Sequence, residues 1–178
     1  MLSSVAPSTR PTSDRAREAL FSSLTSEFGV FTGINFLDLF GGSGAIGLEA
    51  LSRGATIVHI VERDPEAIRT IERNFELVKK SSPLGKFQQY SMTAERFLGS
   101  APKEKYHIVY IDPPYEMDNG EVEGVIMKLH HGEFLHESAV IALERLTRGA
   151  EFHWPDAFNA ARDRKYGATR IYYGNYAP

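Results

Sequence analysis

Two short stretches carry residue types that could do chemistry together. In FLDLFGGSGAIG, residues 36–47, the carboxylate of Asp38 precedes a turn built from Gly41, Gly42, Gly44 and Gly47. Gly42, Gly44 and Gly47 fit G-x-G-x-x-G, a spacing that lets backbone approach a nucleotide at a helix start. A pyrophosphate there would face Asp38, and like charges 4 Å apart repel by about 1 kcal/mol even in water. S-adenosylmethionine offers a sulfonium and an ammonium instead, and a carboxylate can accept from that ammonium or from a water bound to it. Glu62, 20 residues after Gly42, has the spacing of a ribose-hydroxyl acceptor, which suits either nucleotide. Taken alone, the turn also reads as a tight strand-to-helix junction and Glu62 as a solvated strand end.

The second stretch is YIDPPYE at 110–116. Pro113 and Pro114 lack N–H groups and have fixed φ, so the corner is stiff. Asp112 adds an acceptor and Tyr115 a flat face. An aromatic exocyclic amine shares its lone pair with the ring and attacks poorly until acceptors hold its protons. Asp112 and the Pro113 carbonyl could supply those acceptors, while Tyr115 stacks on the base and lines the nitrogen up for in-line displacement. The chain has no cysteine, which excludes disulfides, thiolate metal sites and methylation at pyrimidine C5 through a thiol nucleophile.

Elements must bring the two stretches together. Apolar, β-rich runs occur at 34–40, 56–62, 87–92, 106–111 and 138–144, with helix-period segments near 44–53, 64–80, 93–99 and 120–131. Their alternation predicts βαβ units and a parallel sheet covered on both faces. Asp64-Pro65 reads as a helix cap and first turn. The tail, FNAARDRKYGATRIYYGNY, predicts an antiparallel hairpin turning at Gly167. Ahead of the sheet, Leu20, Leu24 and Phe28 share one face of a helix over 14–28, with Thr12 or Ser13 as its N-cap. In such sheets ligands bind beyond the carboxyl ends of the strands, and Asp38, Glu62, Thr93 and Asp112 all follow strand ends.

With 178 residues, one domain is expected over 1–178, comprising an N-terminal arm and helix at 1–30 and a catalytic sheet at 34–178. No secretory signal or membrane-length apolar run is visible, so a cytoplasmic protein without membrane contact is expected. The formal charge is −3, so RNA affinity must come from a local patch. His59 reads as a packed strand residue, His130 and His131 as a helix end, and no metal is assigned.

RPTSDRAREALF at 10–21, the stretch 36–55, VERDPEAI at 61–68, DPPY at 112–115 and RKYGATRIYY at 164–173 resemble the bacterial 16S ribosomal RNA guanine-N2 methyltransferases, the RsmD family. The resemblance covers nearly the whole chain. It implies an α/β, Rossmann-like class I methyltransferase fold, with a seven-stranded, mostly parallel sheet, helices on both faces and a C-terminal antiparallel hairpin. It implies S-adenosylmethionine as donor and S-adenosylhomocysteine as product. The acceptor would be a guanine N2 amine in 16S RNA of the small ribosomal subunit or its assembly intermediate, with the enzyme acting as a monomer.

The resemblance also implies cofactor contacts at Asp38, Phe40, Gly41, Gly42, Gly44, Glu62, Arg63, Thr93, Ala94 and Asp112, and catalytic roles for Asp112, Pro113, Pro114 and Tyr115. RNA contacts would fall at Arg10, Thr12, Arg15, Arg164, Lys165 and Tyr166, with Arg17 and Arg170 nearby. Two departures stand out. Family members usually open with a basic β-hairpin, whereas nine residues precede Arg10 here. Thr93 stands where an acidic or amide side chain often reaches the adenine, so the Ala94 N–H would carry more of that contact. DPPY suits any exocyclic amine, leaving adenine-N6 and cytosine-N4 methylation of DNA or RNA as alternatives. A non-catalytic ribosome-assembly factor and a nicotinamide dehydrogenase are the others.

Overall fold

The computed structural model describes residues 14–178; Arg10, Thr12 and the expected N-cap at Thr12 or Ser13 lie outside them. The chain runs α1 (Asp14–Phe28), β1 (Asn35–Asp38), α2 (Ala45–Ser52), β2 (Ile57–Glu62), α3 (Pro65–Lys79), β3 (Lys86–Ser91), α4 (Ala94–Leu98), β4 (Tyr106–Ile111), α5 (Asn119–His131), β5 (Leu135–Leu146), β6 (Phe158–Tyr166) and β7 (Thr169–Tyr176). Helix boundaries follow local chemistry. Asp64 accepts from the N–H groups of Glu66 and Ala67, with Pro65 in the first turn of α3. Asp118 and Glu121 close a reciprocal capping box at the start of α5.

The strands form one sheet in the order β3-β2-β1-β4-β5-β7-β6. β1 to β5 are parallel, and β7 lies antiparallel to both β5 and β6. This is the class I methyltransferase arrangement with its C-terminal hairpin. Two antiparallel pairings return β6 to the direction of β4, so the β6–β7 turn lies at the same sheet end as Asp112.

Side-chain alternation divides the core in two. Phe36, Ile60, Ile108, Tyr110, Ala142 and Tyr173 pack with α1 and α2. On the opposite face Leu37, Val109, Ile111, Leu143 and Tyr172 pack with α4 and α5. Such period-two burial ties strand register to which side chains face which layer. Arg162 links α1 to the hairpin, donating to Ser23 Oγ and Glu27 Oε2, both at 2.9 Å.

β1 and β5 depart from expectation. β1 ends at Asp38, because Leu39 and Phe40 already lead into the glycine turn. β5 begins at Leu135, three residues early, and its register against β4 shifts between Tyr106 and Ile108. The polar stretch at 136–138 therefore enters the strand through an irregularity that an apolar-run reading does not register. Among the described residues, no helix is long and apolar enough to cross a membrane.

Candidate active site

Asp38 closes β1 and is 1% exposed. The Gly47 N–H donates to its Oδ2 at 3.1 Å, tying the first turn of α2 to the strand. Its Oδ1 is buried and has no hydrogen-bond partner. Burial chiefly raises the carboxyl from its ordinary 3.8 to about 7, the Gly47 N–H opposes this, and the negative charge of Glu62 adds to it. A buried carboxyl with an unsatisfied oxygen is costly, and a ligand cation would relieve both defects.

The turn above it is fixed by backbone geometry. Gly47 packs against β2, where a Cβ would lie 2.6 Å from Ile60 Cδ1. Gly44 caps α2 in the left-handed region, and Gly42 has φ +53° with open space where a Cβ would project. The Gly41 N–H donates to the Val61 carbonyl at 2.9 Å, and Asn74 on α3 donates to the Ser43 carbonyl at 3.0 Å. Phe40 is half-buried beside the second core layer.

Glu62 is neither a bare solvated end nor solely an acceptor waiting for ribose. Its Oε2 accepts from the Gly42 N–H at 2.8 Å, and its Oε1 from the N–H groups of Arg63 and Asp64 at 2.7 and 2.8 Å. It staples the glycine turn to the end of β2. Arg63 is exposed beside it. Thr93 is exposed, and its Oγ1 caps α4 by accepting from the Arg96 N–H at 3.1 Å. The start of α4 at Ala94 follows the carboxyl end of β3.

Asp112 follows β4. The pairings Asp38 with Tyr110 and Ile111 with Leu143 set β4 between β1 and β5. Alternation then brings Asp38, Asp112 and Glu144 to the same sheet face, that of Tyr110 and Ala142. Asp112 is held well above the usual carboxylate range, first by burial, then by the charges of Glu144 and Asp38, against the pull of Arg145. Glu144 is 7% exposed and accepts from the Tyr110 hydroxyl. Arg145 Nη2 donates to the Met117 carbonyl at 2.8 Å. Pro113 is buried, and Pro114 is exposed with its carbonyl accepting from the Met117 N–H at 3.0 Å. Tyr115 is 51% exposed.

A cavity of about 240 Å³ opens here, its lining including Asp112, Pro113, Tyr115, Glu144, Arg145 and Thr169. Smaller than the roughly 300–1,000 Å³ typical of drug-sized ligands, it has single-base dimensions. Glu144 and Arg145 were not singled out in the sequence. The strand-end rule that selects Asp38 and Asp112 would have found Glu144, which closes the apolar run at 138–144.

The basic residues divide. Arg164 and Lys165 are exposed at the end of β6, while Tyr166 is half-buried against the first core layer. Arg15 is exposed near the start of α1. Arg17 pairs with Asp14 at 2.8 Å, and Arg170 with Asp163 and Glu151 at 2.8 and 2.9 Å, so these two are engaged within the fold. His59 is a packed residue, its Nδ1 2.6 Å from the Tyr106 hydroxyl, and burial lowers it to about 4.

The protein family described as Conserved hypothetical protein 95 matches residues 1–175. The chain belongs to this family. Among its relatives, ribosomal RNA small subunit methyltransferase D of Escherichia coli K12 is 34% identical over 168 residues, 93% of this chain and 80% of that one. YlbH of Bacillus subtilis is also 34% identical, over 169 residues covering 92% and 86%. Among solved structures, Escherichia coli YhhF superimposes with a TM-score of 0.82 at 29% identity, covering 99% of this chain and 92% of that one. The match thus spans the glycine turn, the DPPY corner and the hairpin together.

Proposed function

We propose that this protein transfers a methyl group from S-adenosylmethionine to the N2 amine of a guanine in 16S RNA of the small ribosomal subunit. The observation that carries the reading is the pairing, on neighbouring strands, of a buried carboxylate lacking a partner at Oδ1 with the DPPY corner and its base-sized cavity. Membership of a family that includes ribosomal RNA small subunit methyltransferase D supports the substrate.

The residues fit the donor. Asp38 Oδ1 would accept from its ammonium, relieving the orphaned oxygen, and the open space at Gly42 accommodates close approach to the backbone. Glu62, already committed to three N–H groups, keeps lone-pair capacity on Oε2 for a ribose hydroxyl. When bound, the donor supplies an electrophilic methyl on a sulfonium. Asp112 and the Pro113 carbonyl hold the amine protons and Tyr115 stacks on the base. As the new N–C bond forms, the methyl–sulfur bond would break with S-adenosylhomocysteine leaving, and Asp112, beside the charges of Glu144 and Asp38, would take the proton that the amine nitrogen sheds. Arg164 and Lys165, with Arg15 from α1, would meet RNA phosphates.

The test is incubation with labelled donor and small ribosomal subunits from a strain lacking this protein, followed by digestion to nucleosides. Label in N2-methylguanosine is expected. Label in N6-methyladenosine would overturn the guanine assignment, and the absence of label with donor bound would favour a non-catalytic assembly factor.

A further inference from the structure

Glu144 lies two residues before the end of β5, and the register Ile111 with Leu143 places it beside Asp112, one residue past β4. Neighbouring strands lie about 4.8 Å apart, so two carboxylates side by side on one face are spaced to meet neighbouring groups of one ligand. Both line the same cavity, whose wall also includes Pro113 and Tyr115. Glu144 is a built feature rather than a solvated end: it is 7% exposed, and the buried Tyr110 hydroxyl donates to it from the next strand. Two adjacent acceptors ask for two adjacent donors. Guanine presents N1–H directly beside its N2 amine, whereas adenine and cytosine place a ring acceptor beside theirs.

We propose that Glu144 is a specificity residue that accepts from the N1–H of a flipped guanine while Asp112 holds the neighbouring N2 amine. The proposal rests on the guanine-N2 reading above and deepens it. A base with a ring acceptor at that position would set its lone pair against the Glu144 carboxylate in a water-poor pocket, where a mismatched polar pair is strongly rejected. Arg145, anchored on the Met117 carbonyl, stands beside the carboxylates as a compensating cation.

The discriminating substrate is 2,6-diaminopurine, which keeps the 2-amine but carries an acceptor at N1. Small subunits are reconstituted with ligated 16S RNA carrying either guanosine or 2,6-diaminopurine riboside at the methylated nucleotide, and kcat/KM for 2-amine methylation is measured with each. The wild-type protein is expected to prefer guanosine by about 100-fold or more. Glu144→Gln, whose amide can donate to N1, should narrow that preference at least about tenfold, with donor affinity unchanged. Glu144→Asp keeps the acceptor and should keep the preference while losing rate.

Equal wild-type rates on the two particles would overturn the proposal without any variant. A fall in Glu144→Gln that is uniform across both substrates would also overturn it, making Glu144 a support for Tyr110 alone. Failure of the wild-type protein to methylate the guanosine particle would instead overturn the guanine-N2 reading itself.

Discussion

Asp38 shows how one carboxylate can serve both fold and ligand. One oxygen holds the first turn of α2 through Gly47, and the other is left without a donor. Burial first, and Glu62 second, favour its neutral form, raising it from 3.8 to about 7. The folded chain then binds a proton that the unfolded chain has lost, so ligand-free stability should fall as pH rises from about 4 to 7. A cationic donor favours the ionised form, so its affinity should move the opposite way. The Kd for S-adenosylmethionine is expected to tighten by up to about tenfold per pH unit below pH 7 and to level off above it. Calorimetry across pH 5–8 checks this, and Asp38→Asn should abolish the slope as well as weaken binding. Tyr115 sets a second test at the same scale. Base–aromatic stacking contributes about 1–3 kcal/mol, so Tyr115→Ala should lower kcat/KM for RNA by roughly 5- to 150-fold, whereas Tyr115→Phe retains most activity. Because the side chain is half in solvent, thermal melting of the Ala variant should change little.

The glycine turn between β1 and α2 contains two glycines that are required for different reasons. A Cβ on Gly47 would meet Ile60 at 2.6 Å, whereas on Gly42 it would project into open space from a backbone with φ +53°. Gly47→Ala is therefore expected to cost about 1–3 kcal/mol of stability through overpacking, seen as a lower denaturation midpoint. Gly42→Ala should cost about 1–2 kcal/mol in backbone strain and, in addition, cut donor affinity, because its methyl would occupy the cradle. Comparing melting with donor binding for the two variants separates the roles. Such elements were legible in the sequence where the signal is local: the Asp64-Pro65 cap, the alternating runs, the Gly167 hairpin turn, and Asp38 and Asp112 at strand ends. The three-residue extension of β5 was hidden because its irregular pairing depends on β4. The stapling by Glu62 was hidden because ribose contact and turn support require the same spacing. Glu144 ends the apolar run at 138–144, within reach of the rule that selects Asp38 and Asp112, but its burial, its bond from Tyr110 and its place beside Asp112 emerge only from the pairing of β4 with β5. Arg17 and Arg170 carry the same chemical signature as Arg164, and only folding reveals which cations are paired with carboxylates.

At the scale of the whole molecule the net charge of −3 opposes association with a polyanion, so the arrangement of cations matters more than their number. The direction of β6 delivers Arg164 and Lys165 to the sheet end that carries Asp112 and Tyr115, while Asp163 and Glu151 hold Arg170 against the hairpin. The exposed Arg15 near the start of α1 lies about 18 Å along the helix axis from Glu27, which Arg162 of β6 holds. Phosphate contacts contribute through counterion release, and each one adds about 0.7–0.9 to the slope of log affinity against log salt. Replacing Arg164 and Lys165 together by Ala should thus weaken RNA binding at low salt and reduce that slope by about 1.4–1.8. Donor affinity and melting should stay unchanged, since both side chains are exposed. Filter binding to small ribosomal subunits across a salt series measures the slope. An unchanged slope would mean that RNA approaches from a different face, which would separate the hairpin end from the cavity it borders.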